Sequence, residues 1–386
     1  MGVANGERDI GDVTPSTHPP LPPTTEDDSF HRLRLLRSRR VGIATYRRLI
    51  REHGTAVDAL RALPDVARAA GVTDYQICPE GVINAELRAG KAAGATLLTE
   101  DHPDYPTTLL EISDAPPLLW AMGQTALLRR PMVALVGARN ASSLGTRMAK
   151  ALAAGLSEAG IVVVSGLARG IDTAAHLSSL QNGTIAVQAG GVDTVYPVEN
   201  AKLASDIAKQ GLRISEMPIG MQPHARHFPT RNRIISGLSS AVVVVEAAAK
   251  SGSLITARNA LDQARDVLAV PGHPFDARAA GCNMLIRDGA LLVRSAQDII
   301  DAIATLAPQQ ADLPLETPIE KPSRSLRETA ALHSQILSRL GPSPVAEDQL
   351  IRDLQTAPTT IAPVIMDLEL DGKITRHAGG LLARVD

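Results

Sequence analysis

The sequence predicts an α/β protein built on a doubly wound parallel sheet, and three observations support this fold class. Short apolar runs rich in β-branched residues recur from about residue 93 onward. Their starts are spaced by roughly 25 residues, which leaves room for one helix between neighbouring strands. The runs are continuously apolar, as is typical of parallel strands that are covered by helices on both faces.

The elements of this domain follow in order along the chain. The segments expected to form strands are 95–99, 133–136, 161–164, 185–187, 212–214, 241–245, 267–270 and 290–293. Leu144, Met148, Leu152 and Leu156 recur at helical spacing after the second of these strands, and they predict the buried stripe of a helix. We expect the domain to occupy residues 89–306 and to end with a helix at 296–306.

A small basic helical module is predicted at residues 29–88, after a tail at 1–28 whose composition indicates disorder. Eight arginines lie between Arg32 and Arg51, with no acidic residue among them. Gly54 and Pro64 are expected to separate short helices. The residues expected to form the buried stripe of the module are Leu33, Leu36, Ile43, Tyr46, Leu49 and Ile50.

A linker at 307–324 and a winged helix-turn-helix at 325–386 complete the predicted organisation. Helices are expected near 333–340, 346–354 and 359–370, followed by a two-stranded ribbon that turns at Gly379-Gly380. The third helix contains Asp367 and Glu369 but neither lysine nor arginine. Because acids repel phosphate, we expect a protein-contact or auxiliary module rather than a reader of the major groove.

Composition narrows the possible functions. The net charge is −2, so any nucleic-acid binding must depend on local basic patches. Cys78 and Cys282 lie far apart in the sequence, which fits a reducing cytosol and argues against a disulfide scaffold or a cysteine-rich metal site. Neither a membrane-spanning run nor a signal peptide is evident, so a cytoplasmic location is expected.

The turn at 136–145, VGARNASSLG, joins a predicted strand to a predicted helix and offers an anion-binding position. Gly137 permits close approach, Arg139 can pair bidentately with phosphate, and Ser142 or Ser143 can cap the helix. The turn matches neither GxGxxG nor a Walker A loop, and no acid ends the next strand. We therefore expect no NAD, ATP or other cofactor. A structural turn with an ordinary helix cap is the alternative.

The turn at 165–172, SGLARGID, follows the next strand and places Arg169 on the same edge of the sheet as Arg139. We expect Asp172 to cap the following helix and His176 to be a packed helix histidine. A hydrolytic triad of Ser165, Asp172 and His176 is formally available, but the sequence has no GxSxG elbow to support it.

The most basic segment of the predicted edge is 224–233, HARHFPTRNR, which contains no acid. Arg226, Arg231 and Arg233 can neutralise phosphates, and Phe228, one of only three phenylalanines, can stack on an unpaired base. The alternative is a solvated loop whose Phe228 fills the core. Pro229 favours an extended Phe228 backbone, off the helix that follows.

The loop after the strand at 241–245 completes the predicted site. Lys250, Gly252 and Ser253 open another helix in an anion-binding arrangement. Glu246 is either a ligand for a base or sugar or merely an acid at a strand end. The rigid turn Pro271-Gly-His-Pro is expected to shape either the pocket or an interface. No set of His, Cys and carboxylate residues has metal-ligand spacing.

These motifs together resemble those of the bacterial DNA-processing protein A family, DprA/Smf. The resemblance extends over about 105–293 and, more loosely, over both flanking modules. Its residues are Tyr105-Pro106, Pro116-Pro117-Leu118, Gly123, VGARNAS, SGLARGID, GGVDTVYP at 190–197, FPTRNRIISGLS at 228–239, and VVVEAAAKSGSLITA followed by AVPG. One departure is Arg169, since the family often has lysine there.

The resemblance implies an extended Rossmann fold that binds single-stranded DNA without NTP hydrolysis. It also implies a homodimer that loads a RecA-type recombinase onto DNA taken up in natural transformation. Arg139, Arg169, Arg226 and Phe228 would then line the DNA site, with Arg231 and Arg233 supporting it. The N-terminal module would resemble a helix-hairpin-helix or SAM-like domain.

Two other functions compete with this one. The chief rival is a nucleotide or phosphoribosyl hydrolase that uses Glu246 and the glycine-rich turns, since Rossmann-like sheets host many functions. A sequence-specific regulator that acts through the winged helix is weakened by the acidic third helix. The Arg/Phe segment and the basic N-terminal module favour nucleic-acid binding over hydrolysis.

Overall fold

A nine-stranded sheet organises the larger part of the chain in the computed structural model, which describes residues 25–306, 326–341, 343–377 and 379–385. The tail expected at 1–28 lies almost entirely outside these residues, as does the linker expected at 307–324. The strands are β1 (Thr96–Thr99), β2 (Leu118–Gly123), β3 (Met132–Val136), β4 (Val162–Ser165), β5 (Thr184–Val187), β6 (Leu212–Ser215), β7 (Ala241–Val244), β8 (Asp266–Ala269) and β9 (Leu291–Leu292).

The doubly wound arrangement predicted from the sequence is confirmed. The strand order is β1-β2-β6-β5-β4-β3-β7-β8-β9. In this order, every pair of neighbours from β6 through β5, β4, β3, β7 and β8 to β9 is parallel. Strand β2 pairs antiparallel with both β1 and β6. Sequence analysis missed β2, which contains Trp120 and stands between two strands that run opposite to it.

Helices cover both faces of this sheet. The helices of this part of the chain are α5 (Thr107–Leu110), α6 (Ser143–Glu158), α7 (Ile171–Ser179), α8 (Ala201–Gln210), α9 (His227–Leu238), α10 (Ser253–Asp262), α11 (Ala280–Arg287) and α12 (Ala296–Leu306). Helices α6, α7 and α12 pack on one face, and α9, α10 and α11 pack on the other.

The stripe predicted for α6 is correct only in its second half. Leu152 and Leu156 are fully buried, but Leu144 is 68% exposed. Ala149 and Ala153 complete the buried face instead. Leu144 lies in the first turn of α6 and belongs to neither of the two apolar clusters that cover the sheet.

The sheet has a topological switch point between β3 and β7. The chain proceeds from β3 through β4 and β5 to β6 in one direction, and it then returns through α9 to β7 on the other side of β3. Loops that follow β3 and β7 therefore diverge and leave a crevice at the carboxyl ends of the strands. Open α/β sheets bind their ligands in such crevices.

Four helices form the N-terminal module, α1 (Thr25–Arg37), α2 (Ile43–His53), α3 (Ala56–Ala69) and α4 (Glu80–Ala92). The expectation that Pro64 ends a helix is wrong, because α3 continues through it. Leu60 and Leu63 are buried beside Pro64, and this packing holds the helix despite one missing backbone hydrogen bond. Leu35, which sequence analysis missed, is fully buried with Tyr46 and Leu49.

Most arginines of this module form ion pairs rather than an open basic patch. Arg32 approaches Asp28, Glu100 and Asp101, and Arg37 donates to Glu86 at 2.9 Å. Further pairs are Arg34–Glu80, Arg47–Glu100 and Arg48–Glu52. The acids lie outside the run of arginines in the sequence, so the basic character of the module is a weaker indication of DNA binding than its sequence suggests.

The C-terminal unit is a winged helix, as predicted. Its helices are α13 (Leu326–Arg339), α14 (Glu347–Leu354) and α15 (Pro358–Leu370), and its strands are β10 (Val345–Ala346), β11 (Ile374–His377) and β12 (Leu381–Arg384). Strand β10, which was not predicted, pairs with β12. None of the helices in the described ranges combines the length and apolar character needed to cross a membrane.

Candidate nucleic-acid interface

A cleft of about 920 Å³ occupies the switch point between β3 and β7. Its walls come from the loops after β3, β4 and β7 and from the start of α9, as expected for the carboxyl edge of the sheet. Of the predicted site residues, it is lined by Gly137, Arg139, Phe228, Arg231, Lys250, Gly252 and Ser253. Most of the residues predicted from the sequence thus line one continuous cleft.

Three exposed cations surround this cleft. Arg139 follows β3, Lys250 precedes α10, and Arg278 lies in the loop between β8 and α11. None of the three side chains has an ion-pair partner among the described residues. Unpaired cations around a concave surface attract a polyanion, because their charge is not neutralised within the protein. Arg278 was not predicted, although the sequence drew attention to the Pro271-Gly-His-Pro turn that precedes it.

Arg231 supplies a fourth cation at the floor of the cleft. It is 4% exposed, and its Nη1 donates to the Val187 carbonyl at 2.5 Å. Gly166 leaves room for the guanidinium, since a Cβ there would collide with it. Burial lowers the pKa of Arg231 to about 10, and the charge of Asp172 opposes this shift. Arg231 therefore remains charged at neutral pH.

Asp172 and His176 have structural environments. Asp172 accepts hydrogen bonds from the N–H groups of Gly166 and Ala168, so it holds the loop before α7 rather than capping the helix as expected. His176 is fully buried, as predicted; its Nε2 accepts from the Leu167 N–H at 3.3 Å, and its Nδ1 lies 2.8 Å from Thr184 Oγ1. Burial, reinforced by Arg231, lowers the pKa of His176 to about 3.

This arrangement contradicts the hydrolytic triad. Ser165 is buried, and its hydroxyl donates to the Leu135 carbonyl at 2.7 Å. Because both nitrogens of His176 are engaged elsewhere, the imidazole has no free nitrogen with which to activate Ser165.

Phe228 lies at the rim of the cleft and not in the core. Its ring is half-buried, and none of the apolar clusters formed by the described residues includes it. The guanidinium carbon of Arg139 lies 5.2 Å from the ring centroid, and that of Arg231 lies 6.0 Å from it. These contacts support the recognition role over the core-filling alternative.

The backbone at Phe228 differs from the prediction. Helix α9 begins at His227, so Phe228 lies inside its first turn rather than in an extended segment before it. Pro229 is tolerated there because the N–H groups of a first helical turn have no intrahelical partner.

Arg169 and Arg226 lie outside the main cleft. Arg169 is exposed and pairs with Glu199 at 2.6 Å beside a smaller hollow that adjoins the cleft. Arg226 is exposed, and its Nε lies 3.4 Å from Nε2 of His227. Both side chains are accessible to a ligand that extends beyond the cleft.

Arg233 is directed away from the cleft. It is 7% exposed and pairs with Glu216 at 2.5 Å and with Asp114 at 3.2 Å. Arg233 is not among the residues that line the cleft. Arg233 follows Arg231 by two residues, which turns it to a different face of α9, and its two ion pairs tie α9 to neighbouring loops.

The helix N-terminus at Ser142 is occupied by a group of the protein itself. Ser142 Oγ accepts from the Gly145 N–H at 2.9 Å, which confirms its capping role, and it also bonds to Glu246 Oε2. The Ser142 N–H donates to Glu246 Oε1 at 3.0 Å. A Cβ at Gly145 would collide with the Glu246 carboxylate, and a Cβ at Gly137 would collide with Ile171 and with the Glu246 backbone carbonyl. Glu246 thus fills the phosphate position expected at α6.

The start of α10 completes the cleft. Lys250, Gly252 and Ser253 line it together, as predicted, and the hydroxyls of Ser251 and Ser253 are 2.7 Å apart. Asn140 and Tyr196 are further lining residues that were not singled out. Tyr196 belongs to the GGVDTVYP segment, which gave the only sequence signal for it.

Three sequence models of one family match the chain. Residues 96–304 match DNA recombination-mediator protein A, residues 26–89 match the DprA-like N-terminal HHH domain, and residues 320–380 match the DprA winged helix domain. The chain belongs to the DNA recombination-mediator protein A family. The predicted family, and with it the helix-hairpin-helix character of the N-terminal module, is confirmed.

Individual members of the family show how far the likeness extends. The DNA processing protein DprA of Streptococcus pneumoniae is 49% identical over 198 residues, which are 51% of this chain and 70% of that protein. An X-ray structure of DprA from the same organism has a TM-score of 0.61 at 38% identity, covering 71% of this chain and 97% of that one.

A second solved structure comes from Helicobacter pylori. It has a TM-score of 0.51 at 30% identity and covers 55% of this chain and 96% of that one. It is described as giving insights into the unique single-stranded DNA binding mode of DNA processing protein A.

Proposed function

We propose that this protein binds single-stranded DNA in the switch-point cleft and acts there without catalysis. We further propose that it is a cytoplasmic homodimer that loads a RecA-type recombinase onto DNA taken up in natural transformation. The observation that carries DNA binding is the wall of the cleft, which Arg139, Arg231, Lys250 and Arg278 line together with the Phe228 ring. Asp172 is the only acid among the lining residues, and backbone N–H groups satisfy its carboxylate.

The combination of cations and aromatic rings favours a single strand over a duplex. Cations track the phosphates of either form. An aromatic ring gains stacking energy only from a base whose face is free, and bases in a duplex are already stacked and paired. The placement of Phe228 between Arg139 and Arg231 therefore supports a preference for single strands.

The groups that a hydrolase would use are engaged in structural contacts. Glu246 is 8% exposed and bonds to the N-terminus of α6, and Ser165 and His176 are buried. Family membership supports the mediator role, since the family is described as a recombination mediator. The single-stranded DNA binding described for the Helicobacter pylori protein supports the proposed ligand.

The test compares labelled single-stranded and duplex DNA of equal length in a fluorescence anisotropy titration over a range of salt concentrations. We expect tighter binding of the single strand and a linear fall of log affinity with log salt. Equal affinity for both forms would contradict the preference for a single strand. Saturable ATP binding accompanied by hydrolysis would support the rival enzyme function. Recombinase loading is tested by the rate at which a RecA-type protein forms filaments on the bound strand.

A further inference from the structure

One apolar cluster contains residues of the N-terminal module together with residues of two loops of the sheet. The module contributes Leu33 of α1 and Ile83 of α4, both fully buried, and the sheet contributes Trp120 of β2. Val192, which follows β5, is fully buried in the same cluster, and Ile219, which follows β6, packs against it. The helical module is therefore packed against the loops that leave β5 and β6.

These two loops form part of the cleft wall. The loop at 190–197 contains Val192 and also Tyr196, and the segment at 216–226 contains Ile219 and also Pro223. Tyr196 and Pro223 both line the cleft, whereas Val192 and Ile219 do not. Each loop thus has one side chain held in the cluster and another that faces the proposed ligand.

Hydrogen bonds join the two loops to each other. The Gly191 N–H donates to the Met221 carbonyl at 2.8 Å, and the Gly220 N–H donates to Asp193 Oδ1 at 2.8 Å. A Cβ at Gly190 would collide with the Met221 carbonyl, so the two backbones approach closely. Because the loops are joined in this way, a displacement of one is passed to the other.

The module is fixed to the sheet by polar contacts around the same cluster. Trp120 Nε1 donates to Glu86 Oε1 at 2.9 Å, and Arg37 donates to both oxygens of the Glu86 carboxylate. Arg47 donates to the Ala115 carbonyl at 3.1 Å. These arginines hold the module against the sheet, which accounts for charge in the module that does not face a ligand.

We propose that the N-terminal module positions the walls of the DNA cleft through the packing of Ile83 and Val192, and that it does so without contacting the strand. Ile83 and Val192 are positioning residues, because neither lines the cleft. A wall that is fixed before binding loses less conformational entropy when it closes around a flexible strand. The inference rests on the proposed function, since it assigns the module a part in single-strand binding at that cleft.

Ile83→Ala in the full chain tests this role by removing apolar volume from the cluster. We expect it to weaken binding of a labelled oligothymidylate by roughly two- to thirtyfold, as for other substitutions that act on a site through intervening residues. The slope of log affinity against log salt should remain that of the wild type, because no phosphate contact is lost. Ile83→Leu, which conserves the volume, should restore most of the affinity.

Leu49→Ala is the matched control within the same module. Leu49 is also fully buried, but it belongs to a separate cluster with Tyr46 and Leu60 that contains neither Val192 nor Ile219. The substitution should lower the melting temperature, as Ile83→Ala does, because both leave a cavity. Single-strand affinity should stay unchanged when it is measured well below the melting temperature of each variant.

Val192→Ala tests the same packing from the side of the loop. Arg213 Nη2 donates to the Val192 carbonyl at 2.5 Å, so the loop backbone stays anchored when the side chain is shortened. The double variant Ile83→Ala/Val192→Ala should lose less affinity than the product of the two single losses, since both changes remove one shared interaction. If Ile83→Ala does not fold, Ile83→Val makes a smaller cavity and allows the same comparison.

The remaining outcomes separate this inference from the proposed function. Wild-type affinity in both Ile83→Ala and Val192→Ala would overturn the positioning role while single-strand binding stands. A flatter salt slope in Ile83→Ala would also overturn it, because the module would then contact phosphates itself. Equal losses in Ile83→Ala and Leu49→Ala would do the same, since any loosening of the module would suffice. A wild-type protein that binds no oligothymidylate would overturn the proposed function.

Discussion

At the residue scale, arginines of one short segment have opposite roles. Arg231 lines the cleft, and Arg226 is exposed beyond its edge, whereas Arg233 is paired with Glu216 and Asp114. Charge on its own did not distinguish them, because Arg226 precedes α9, whereas Arg231 and Arg233 lie on different faces of that helix and meet different partners. Arg139 is the clearest candidate for phosphate contact, since it is exposed and has no acidic partner among the described residues.

We predict that Arg139→Ala weakens binding to all single-stranded sequences and flattens the salt dependence. Each phosphate contact contributes about 0.7 to the slope of log affinity against log salt for single strands. Titrations at several salt concentrations measure both effects. Arg233→Ala is the matched control: it should lower the melting temperature, because it leaves Glu216 buried and unpaired, but keep the salt slope. An unchanged slope in Arg139→Ala would remove Arg139 from the site.

Phe228→Ala should reduce single-strand affinity by roughly 1–3 kcal/mol, with little loss of fold stability. The ring is half-buried at the rim and belongs to none of the described apolar clusters, so its removal leaves no core cavity. Melting curves and affinity measured on the same variant test this. A loss of about 3–5 kcal/mol in stability, with normal affinity in the folded fraction, would instead indicate a core residue.

His176 should make stability depend on pH in acid. Its pKa is about 3 in the folded protein, below its ordinary value of 6.5, so the unfolded chain takes up the proton first. The contribution of His176 to stability is therefore complete above pH 6.5 and falls by about 1.4 kcal/mol per unit as pH decreases toward 3.

The free energies of unfolding in urea of the wild type and of His176→Gln, measured between pH 4 and pH 8, isolate the contribution of His176. Asp172 must be separated from it, because burial raises the pKa of Asp172 and gives a contribution of opposite sign. The difference in unfolding free energy between the two proteins should be constant above neutrality and shrink below about pH 6.5. A constant difference over the whole range would contradict the buried, neutral imidazole.

At the scale of elements, the N-terminus of α6 shows how a Rossmann-like turn differs from a nucleotide site. Its free N–H groups and positive dipole would suit a phosphate. Here the Glu246 carboxylate, from the end of the neighbouring strand, takes that position through Ser142. Glu246 follows β7 and is far from the turn at 136–145 in the sequence. The sequence of the turn alone therefore could not show that a carboxylate fills its anion site.

We predict that the wild-type protein shows no saturable binding of ATP or NAD in calorimetric titrations. Glu246→Ala should lower stability by about 1–3 kcal/mol, since it removes the acceptor of the partly buried Ser142 N–H and hydroxyl groups. Gly145→Ala should destabilise similarly, because its Cβ would displace Glu246 Oε2. Micromolar ATP affinity in the wild type would show that the carboxylate does not occlude this position.

At the scale of the whole molecule, the chain divides into two units, Met1–Pro308 and Gln309–Asp386. The cleft lies entirely within the first unit. In the second, α15 exposes Met366 and Leu370 and carries acidic residues, and Glu369 lies 3.4 Å from Arg376. These surfaces support a protein-contact role for the winged helix over phosphate binding.

Deletion of residues 325–386 should therefore leave most single-strand affinity intact. Anisotropy titrations of the truncated and full-length proteins measure this, and circular dichroism establishes that the first unit is folded. Loss of nearly all affinity in a folded truncation would assign the winged helix a direct part in DNA binding.

The sequence by itself determined the fold class, and it predicted the modules and the edge of the sheet at which the cleft lies. These follow from local signals, namely apolar runs at βα spacing and glycine-rich turns that must lie at the carboxyl ends of parallel strands. Only the tertiary structure decided which side chains enter the cleft. Arg233, Glu246 and most arginines of the N-terminal module are engaged by partners far away in sequence, whereas Tyr196 and Arg278 reach the site from segments with little or no motif. Ion pairs and cleft walls form between residues that the chain brings together only on folding, so spacing along the sequence carries no record of them.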